Sequence, residues 1–89
     1  MGNEMICLEV SINGRRLCIA GSEGATVMAS VLAADRSDVT VRVTGGKPLE
    51  PEELEFLHWM TAGLKVDDEV TVRVVRNDHP DPPRKTERT

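Results

Sequence analysis

The chain has 89 residues, room for one domain. At this size it buries roughly 60% of its unfolded surface, enough for one core layer and too little for a deep substrate cleft. A net charge of −4, with Phe56 and Trp59 as the sole aromatic residues, excludes nucleic acid as an expected partner. Phosphate contacts draw on clustered Lys and Arg, and base stacking draws on aromatic side chains carried by strands.

The start, Met1-Gly2-Asn3-Glu4-Met5, has no basic stretch leading into an apolar run, and Ile6 stands where a myristoylation signal wants Ser or Thr. No apolar stretch reaches the length of a membrane span. The expectation is a cytoplasmic protein with no membrane partner.

Ser11-Ile12-Asn13-Gly14-Arg15-Arg16 lies between two apolar runs. Asn-Gly accepts the positive φ angles of a two-residue type I′ turn, so a β-hairpin is expected. Its register would pair Ile12 with Arg15, Val10 with Leu17 and Leu8 with Ile19. Ile6, Leu8, Val10 and Ile12 would then share a face with Leu17 and Ile19, and Cys7 and Glu9 the other face with Arg16, Cys18 and Ala20. Cys7 and Cys18 become diagonal neighbours about 7–8 Å apart, farther than a disulfide allows. Reduced thiols are expected, and without C-x-x-C spacing or nearby histidines neither a metal nor a cofactor is implied.

Gly21-Ser22-Glu23-Gly24 breaks the strand and offers Ser22 as a helix N-cap. From Ala25 to Asp35, Val27, Met28, Val31 and Leu32 recur at helical spacing, which predicts the main helix. Ser37 to Thr44 alternates, with Val39, Val41 and Val43 on one face and Thr40, Arg42 and Thr44 on the other, and Gly45-Gly46-Lys47-Pro48 is expected to end it. Pro51 to Met60 reads as a short helix or an irregular turn, with proline and acidic residues at its start. Glu69 to Arg76 is the last strand, Val70, Val72 and Val74 inside and Thr71, Arg73 and Val75 outside. Residues 77–89, with three prolines after His79 and no apolar anchor, read as a disordered tail beyond a single domain over 1–76.

Strand, strand, helix, strand, short helix, strand gives an α+β, β-grasp-like fold: a mixed four-stranded sheet with one main helix on one face, and the first and last strands central and parallel. Leu64-Lys65-Val66-Asp67-Asp68-Glu69-Val70 is similar to the L-x-x-G-D-E-V entry to the last strand of ubiquitin-like and sulfur-carrier β-grasp proteins. Asp67 replaces the usual glycine. Those carriers act through a terminal Gly-Gly, whereas Gly45-Gly46 is internal here, so the resemblance implies the fold and not the carrier chemistry. The hairpin, the Trp before the closing strand and the Pro-rich tail also resemble a group of small bacterial proteins that brings no activity to transfer.

No Ser sits in a G-x-S-x-G elbow, and the carboxylate runs read as solvated faces. A non-catalytic protein-interaction domain is expected. Its first candidate surface is the outer sheet face with Arg16, Arg42, Arg73, Thr40 and Thr71, which suits an acidic protein partner and is the face ubiquitin-like domains use. The alternative is an immunity or inhibitor protein that meets a basic toxin or enzyme through Glu52, Glu53, Glu55 and Trp59; a small enzyme is a remote third. Trp59 would be a hot spot if exposed and would cap the core if buried, with burial favoured. An exposed edge strand offers a route to a homodimer.

Overall fold

A computed structural model describes residues 5–34 and 38–88. The reading of the start, the end of the expected helix at Asp35, the expected strand start at Ser37 and the last tail residue Thr89 lie outside the described residues.

The chain forms seven strands: β1 (Met5–Ile12), β2 (Arg15–Ala20), β3 (Thr26–Ala33), β4 (Val39–Leu49), β5 (Glu53–Leu64), β6 (Val70–Asn77) and β7 (Lys85–Arg88). They build a three-stranded sheet ordered β2-β1-β6 and a four-stranded sheet ordered β3-β4-β5-β7. The fold is therefore all-β, and the expected α+β plan with a main helix is overturned. Among the described residues there is no helix, so none is long and apolar enough to cross a membrane. The molecule is 16 Å in its shortest extent, which fits two sheets stacked about 10 Å apart.

The Asn-Gly turn forms as expected, with φ of 52° at Asn13 and 80° at Gly14. Asn13 also ties the hairpin tip to the turn before β6: its amide donates to Glu69 O (2.8 Å), its Nδ2 to Asp68 Oδ1 (2.9 Å), and its Oδ1 accepts from Glu69 N (2.9 Å). Asp67 in that turn has φ of 77°, the left-handed conformation that the glycine of the resembled motif adopts without cost.

Beyond the tip the hairpin register departs from expectation. Ile12 pairs with Arg15 and Ser11 with Arg16, but Val10 pairs with Cys18 and Leu8 with Ala20, because Leu17 is an extra residue in a β-bulge. The bulge turns Cys18 and Ala20 into the core beside Val10. Cys7 and Cys18 therefore point to opposite faces instead of lying diagonally, and both are free thiols.

β3 replaces the expected main helix. Val27, Ala29, Val31 and Ala33 face inward and Met28, Ser30 and Leu32 outward, along an unbroken ladder from Thr26–Gly46 to Ala33–Val39. Apolar residues on both faces, Val27 and Val31 inward with Met28 and Leu32 outward, imitate helical spacing. The ladder to the valine-rich β4 decides it, a tertiary preference over a weak local one. The Ser22 backbone carbonyl accepts from Ala25 N (3.1 Å) in a turn, and no helix follows it. β4 runs through Gly45-Gly46 instead of ending there and reverses through a cis Glu50-Pro51 bond into β5.

β5 replaces the expected short helix. A second bulge inserts Trp59 between the pairs Thr44–His58 and Val43–Met60. Leu57 is buried before it, Trp59 at it and Met60 just after it, with Ala62 and Leu64 half-buried beyond, so the alternation changes phase within the strand. That phase change imitates helical spacing at Leu54, Leu57 and Met60.

β6 forms as expected beside β1, but antiparallel, from Met5–Asn77 to Ile12–Val70. The core joins Val10, Cys18 and Ala20 of one sheet to Val41, Val43, Leu57, Trp59 and Met60 of the other. β2 lies over β5 and β1 over β3. Cover over the inward residues falls away along β6 and its neighbour: Val70 packs against the core, whereas Val74 is 71% exposed and Ile6, at the same end of β1, 62%.

The segment expected to be disordered is placed against both sheets. Asp81 bridges to Ala20 at the free edge of β2, its amide donating to Ile19 O (2.9 Å) and its Oδ2 accepting from Ile19 N (2.8 Å). Its carbonyl accepts from Trp59 Nε1 (2.8 Å). Arg84 N then donates to His58 O (2.8 Å), and β7 pairs along β5. One short strap, carrying backbone bonds rather than apolar side chains, joins an edge of each sheet.

Candidate functional site

The outward face of the four-stranded sheet holds a groove of about 550 Å³. Strand register builds it from three cross-strand rows. Thr26, Gly46, Phe56 and Glu87 form the first, Met28, Thr44, His58 and Lys85 the second, and Ser30, Arg42 and Thr61 the third. Gly46 contributes no side chain, which leaves a hollow in the first row before Phe56. Below it Gly45 faces inward: a Cβ there would lie 2.8 Å from Thr26 O and 3.1 Å from the Trp59 ring. Only glycine lets β3 and the indole close under the floor. The bulge at Trp59 separates the His58 and Thr61 rows, and the two side chains meet across the gap at 3.3 Å.

The walls are apolar and the rim charged. Met28 is 56% and Phe56 48% exposed, large apolar surface facing solvent over a partly polar floor. Arg42 has no carboxylate partner among the described residues. Lys85 Nζ lies 4.0 Å from Glu87 Oε1. Two cations thus face the groove against one carboxylate, on a chain of net charge −4.

The expected arginine surface is divided. Arg42 and Thr40 lie on the outward face of the four-stranded sheet, whereas Arg16, Arg73 and Thr71 lie on the outward face of the three-stranded one. Glu9 sits between the latter two arginines, 3.1 Å from Arg73 and 3.9 Å from Arg16, so that face carries its own counter-charge. The acidic surface is also altered. Glu52 and Glu53 are exposed at the β4–β5 reversal, Glu55 is held 3.7 Å from Arg88, and Trp59 is buried, its indole bound to the strap. That surface has no aromatic anchor from Trp59.

No family model, curated protein or solved structure matches this chain. The chemistry must be read from the residues. Burial pushes the Cys7 thiol up in pKa; burial and then the Asp81 carboxylate push Cys18 up, against the pull of Arg84. Both thiols are shifted away from the reactive thiolate. Among the described residues no group of three or more His, Cys, Asp or Glu could hold a metal ion.

Met28, Phe56, His58 and Lys85 escaped the sequence reading because they lie on segments read as helix and tail. The signal was present in the alternation of Phe56 and His58 against Leu57 and Trp59.

Proposed function

We propose that this protein is a binding module that takes an acidic, apolar-anchored segment of a protein partner into the groove on the four-stranded sheet. The Arg42 guanidinium, without a carboxylate partner among the described residues, beside exposed Met28 and Phe56 carries this reading. A concave apolar surface with a few convergent polar groups is the usual form of a recognition site, and arginine and aromatic residues are the side chains on which interface energy concentrates. An arginine with no partner of its own has a fork of donors free for a carboxylate. The reading keeps a protein-binding role and moves it from a shared arginine face to one sheet. Two thiols shifted away from the thiolate and a half-buried His58 that meets Thr61 favour recognition over catalysis.

The test is a titration of labelled protein with an acidic peptide carrying Leu and Phe, followed by amide chemical shifts. Shifts centred on Arg42, Phe56 and Lys85, absent with a lysine-rich peptide and absent in Arg42→Glu, are expected. Shifts centred on Arg16 and Arg73, or equal binding by Arg42→Glu, would overturn it.

A further inference from the structure

The two sheets present four edges, and they differ in how they are protected. β2 is bridged by the strap. β7 carries Lys85, Glu87 and Arg88 within its four residues, and β6 carries Arg73 and Arg76. β3, Thr-Val-Met-Ala-Ser-Val-Leu-Ala, has no charge, no proline and no bulge over eight residues. Charges, prolines and bulges are the devices that keep an edge from pairing with another chain, and β3 lacks all of them. Its large exposed side chains are apolar on both faces: Met28 and Leu32 outward, Val31 inward.

We propose that β3 pairs antiparallel with β3 of a second copy, about a two-fold axis through Ser30, joining two four-stranded sheets into one of eight strands. The axis stands perpendicular to the sheet, so each residue meets one on its own face. Met28 falls opposite Leu32 of the second copy on the outward side. On the inward side Val31 falls opposite Ala29 and Val27 opposite Ala33, large against small, so the strand is complementary to itself in volume. Charge selects this edge over β6: antiparallel self-pairing of β6 about its middle sets Arg73 opposite or diagonal to the arginines of the copy, which is unfavourable. β3 brings no charge to the axis.

The pairing completes the groove. Met28 forms one wall, and Leu32 of the second copy continues that wall across the two-fold, so each groove gains a residue from the other chain. The inference stands on the strand edge and not on the groove's ligand, and it is tested without any ligand present. An edge-to-edge contact is smaller than the ~800 Å² per partner of a standard complex, so the dimer is expected to form as concentration rises.

Sedimentation velocity of the full chain up to roughly 1 mM, with wild type beside Ser30→Glu, decides it. Ser30 lies opposite Arg42 in its own sheet, so a glutamate there gains a cation within the fold while setting like charges across the axis. Wild type is expected to pass from monomer to dimer, and Ser30→Glu to need at least about tenfold higher concentration with its thermal unfolding unchanged. Leu32→Lys, at a half-exposed position, serves as the second variant should Ser30→Glu unfold. Wild type that stays monomeric throughout, or a dimer kept by a folded charge variant, would overturn the proposal.

Discussion

The two long sides of this sandwich are finished differently. On one side the strap carries Asp81 to the edge of β2 and β7 to the edge of β5, and the indole of Trp59 is bonded to the strap itself. On the other side β3 and β6 are edge strands without a strap, and Val72, Val74 and Val31 face solvent from what would be inner faces. The open side is in fact the more apolar in sequence, since β3 carries no charge and the strap no apolar anchor. What separates them is whether backbone donors and acceptors at the edge have partners, and a side closed by hydrogen bonds also excludes water from the side chains beneath. Burial here follows edge satisfaction, not hydrophobicity alone.

The largest effect should come from Trp59, the residue that the strap and the core share. Trp59→Ala is expected to cost about 3–5 kcal/mol, by cavity formation and loss of apolar contact, read from chemical denaturation. A loss under ~1 kcal/mol would break the idea that the closed side holds the core. Asp81→Ala should cost about 1–2 kcal/mol by leaving the Ile19 amide without its carboxylate. It should also raise the labelling rate of Cys18, which lies near Asp81 and Arg84, well above that of Cys7. Equal acceleration of both thiols would mean that the strap guards the whole molecule and not one side.

The third prediction concerns the end where the sides meet. Hydrogen bonds from the Lys65 amide and then from Asn13 hold the Asp68 carboxyl below the ordinary carboxylate range. Its folded-state acidity is the stronger, so its contribution is present above the unfolded pKa and is lost as pH falls through that value to the lowered one. Wild type should therefore lose urea resistance in acid faster than Asp68→Asn; matching slopes would remove Asp68 from this role. The smallest effect belongs to the open side. Val74→Thr should change stability by no more than about 0.5 kcal/mol, and a loss of ~2 kcal/mol would show that this valine is covered after all.

The sequence was legible where the pattern is strictly local. Asn13-Gly14 satisfies its turn through its own φ angles, and the valines of β4 and β6 alternate without interruption. It was illegible where one inserted residue resets the alternation. Leu17 and Trp59 each sit in a bulge, and nothing in the residue types marks the extra position. The error at Trp59 made β5 resemble a short helix, whereas the β-grasp plan followed from the main helix expected over Ala25–Asp35, where β3 forms. The strap was missed for another reason: it is held by main-chain bonds and one carboxylate, so the absence of apolar residues after Asn77 said nothing about its placement. Arg42 was placed on the correct face, yet its neighbours in the groove depended on β5 and β7, the two strands that the pattern concealed.

The strap has a consequence for biosynthesis. Asp81 lies 62 residues after the Ile19 amide it accepts from. At roughly 5–20 residues per second, β2 leaves the peptidyl-transferase centre about 3–12 s before its clasp is made. For that interval the nascent chain has hairpins but no closed side, and the indole of Trp59 waits with them. The ribosome therefore delivers β2 well before its fastener, and chaperone demand from this fold should peak before Asp81 emerges, while β3 and β2 are both still open.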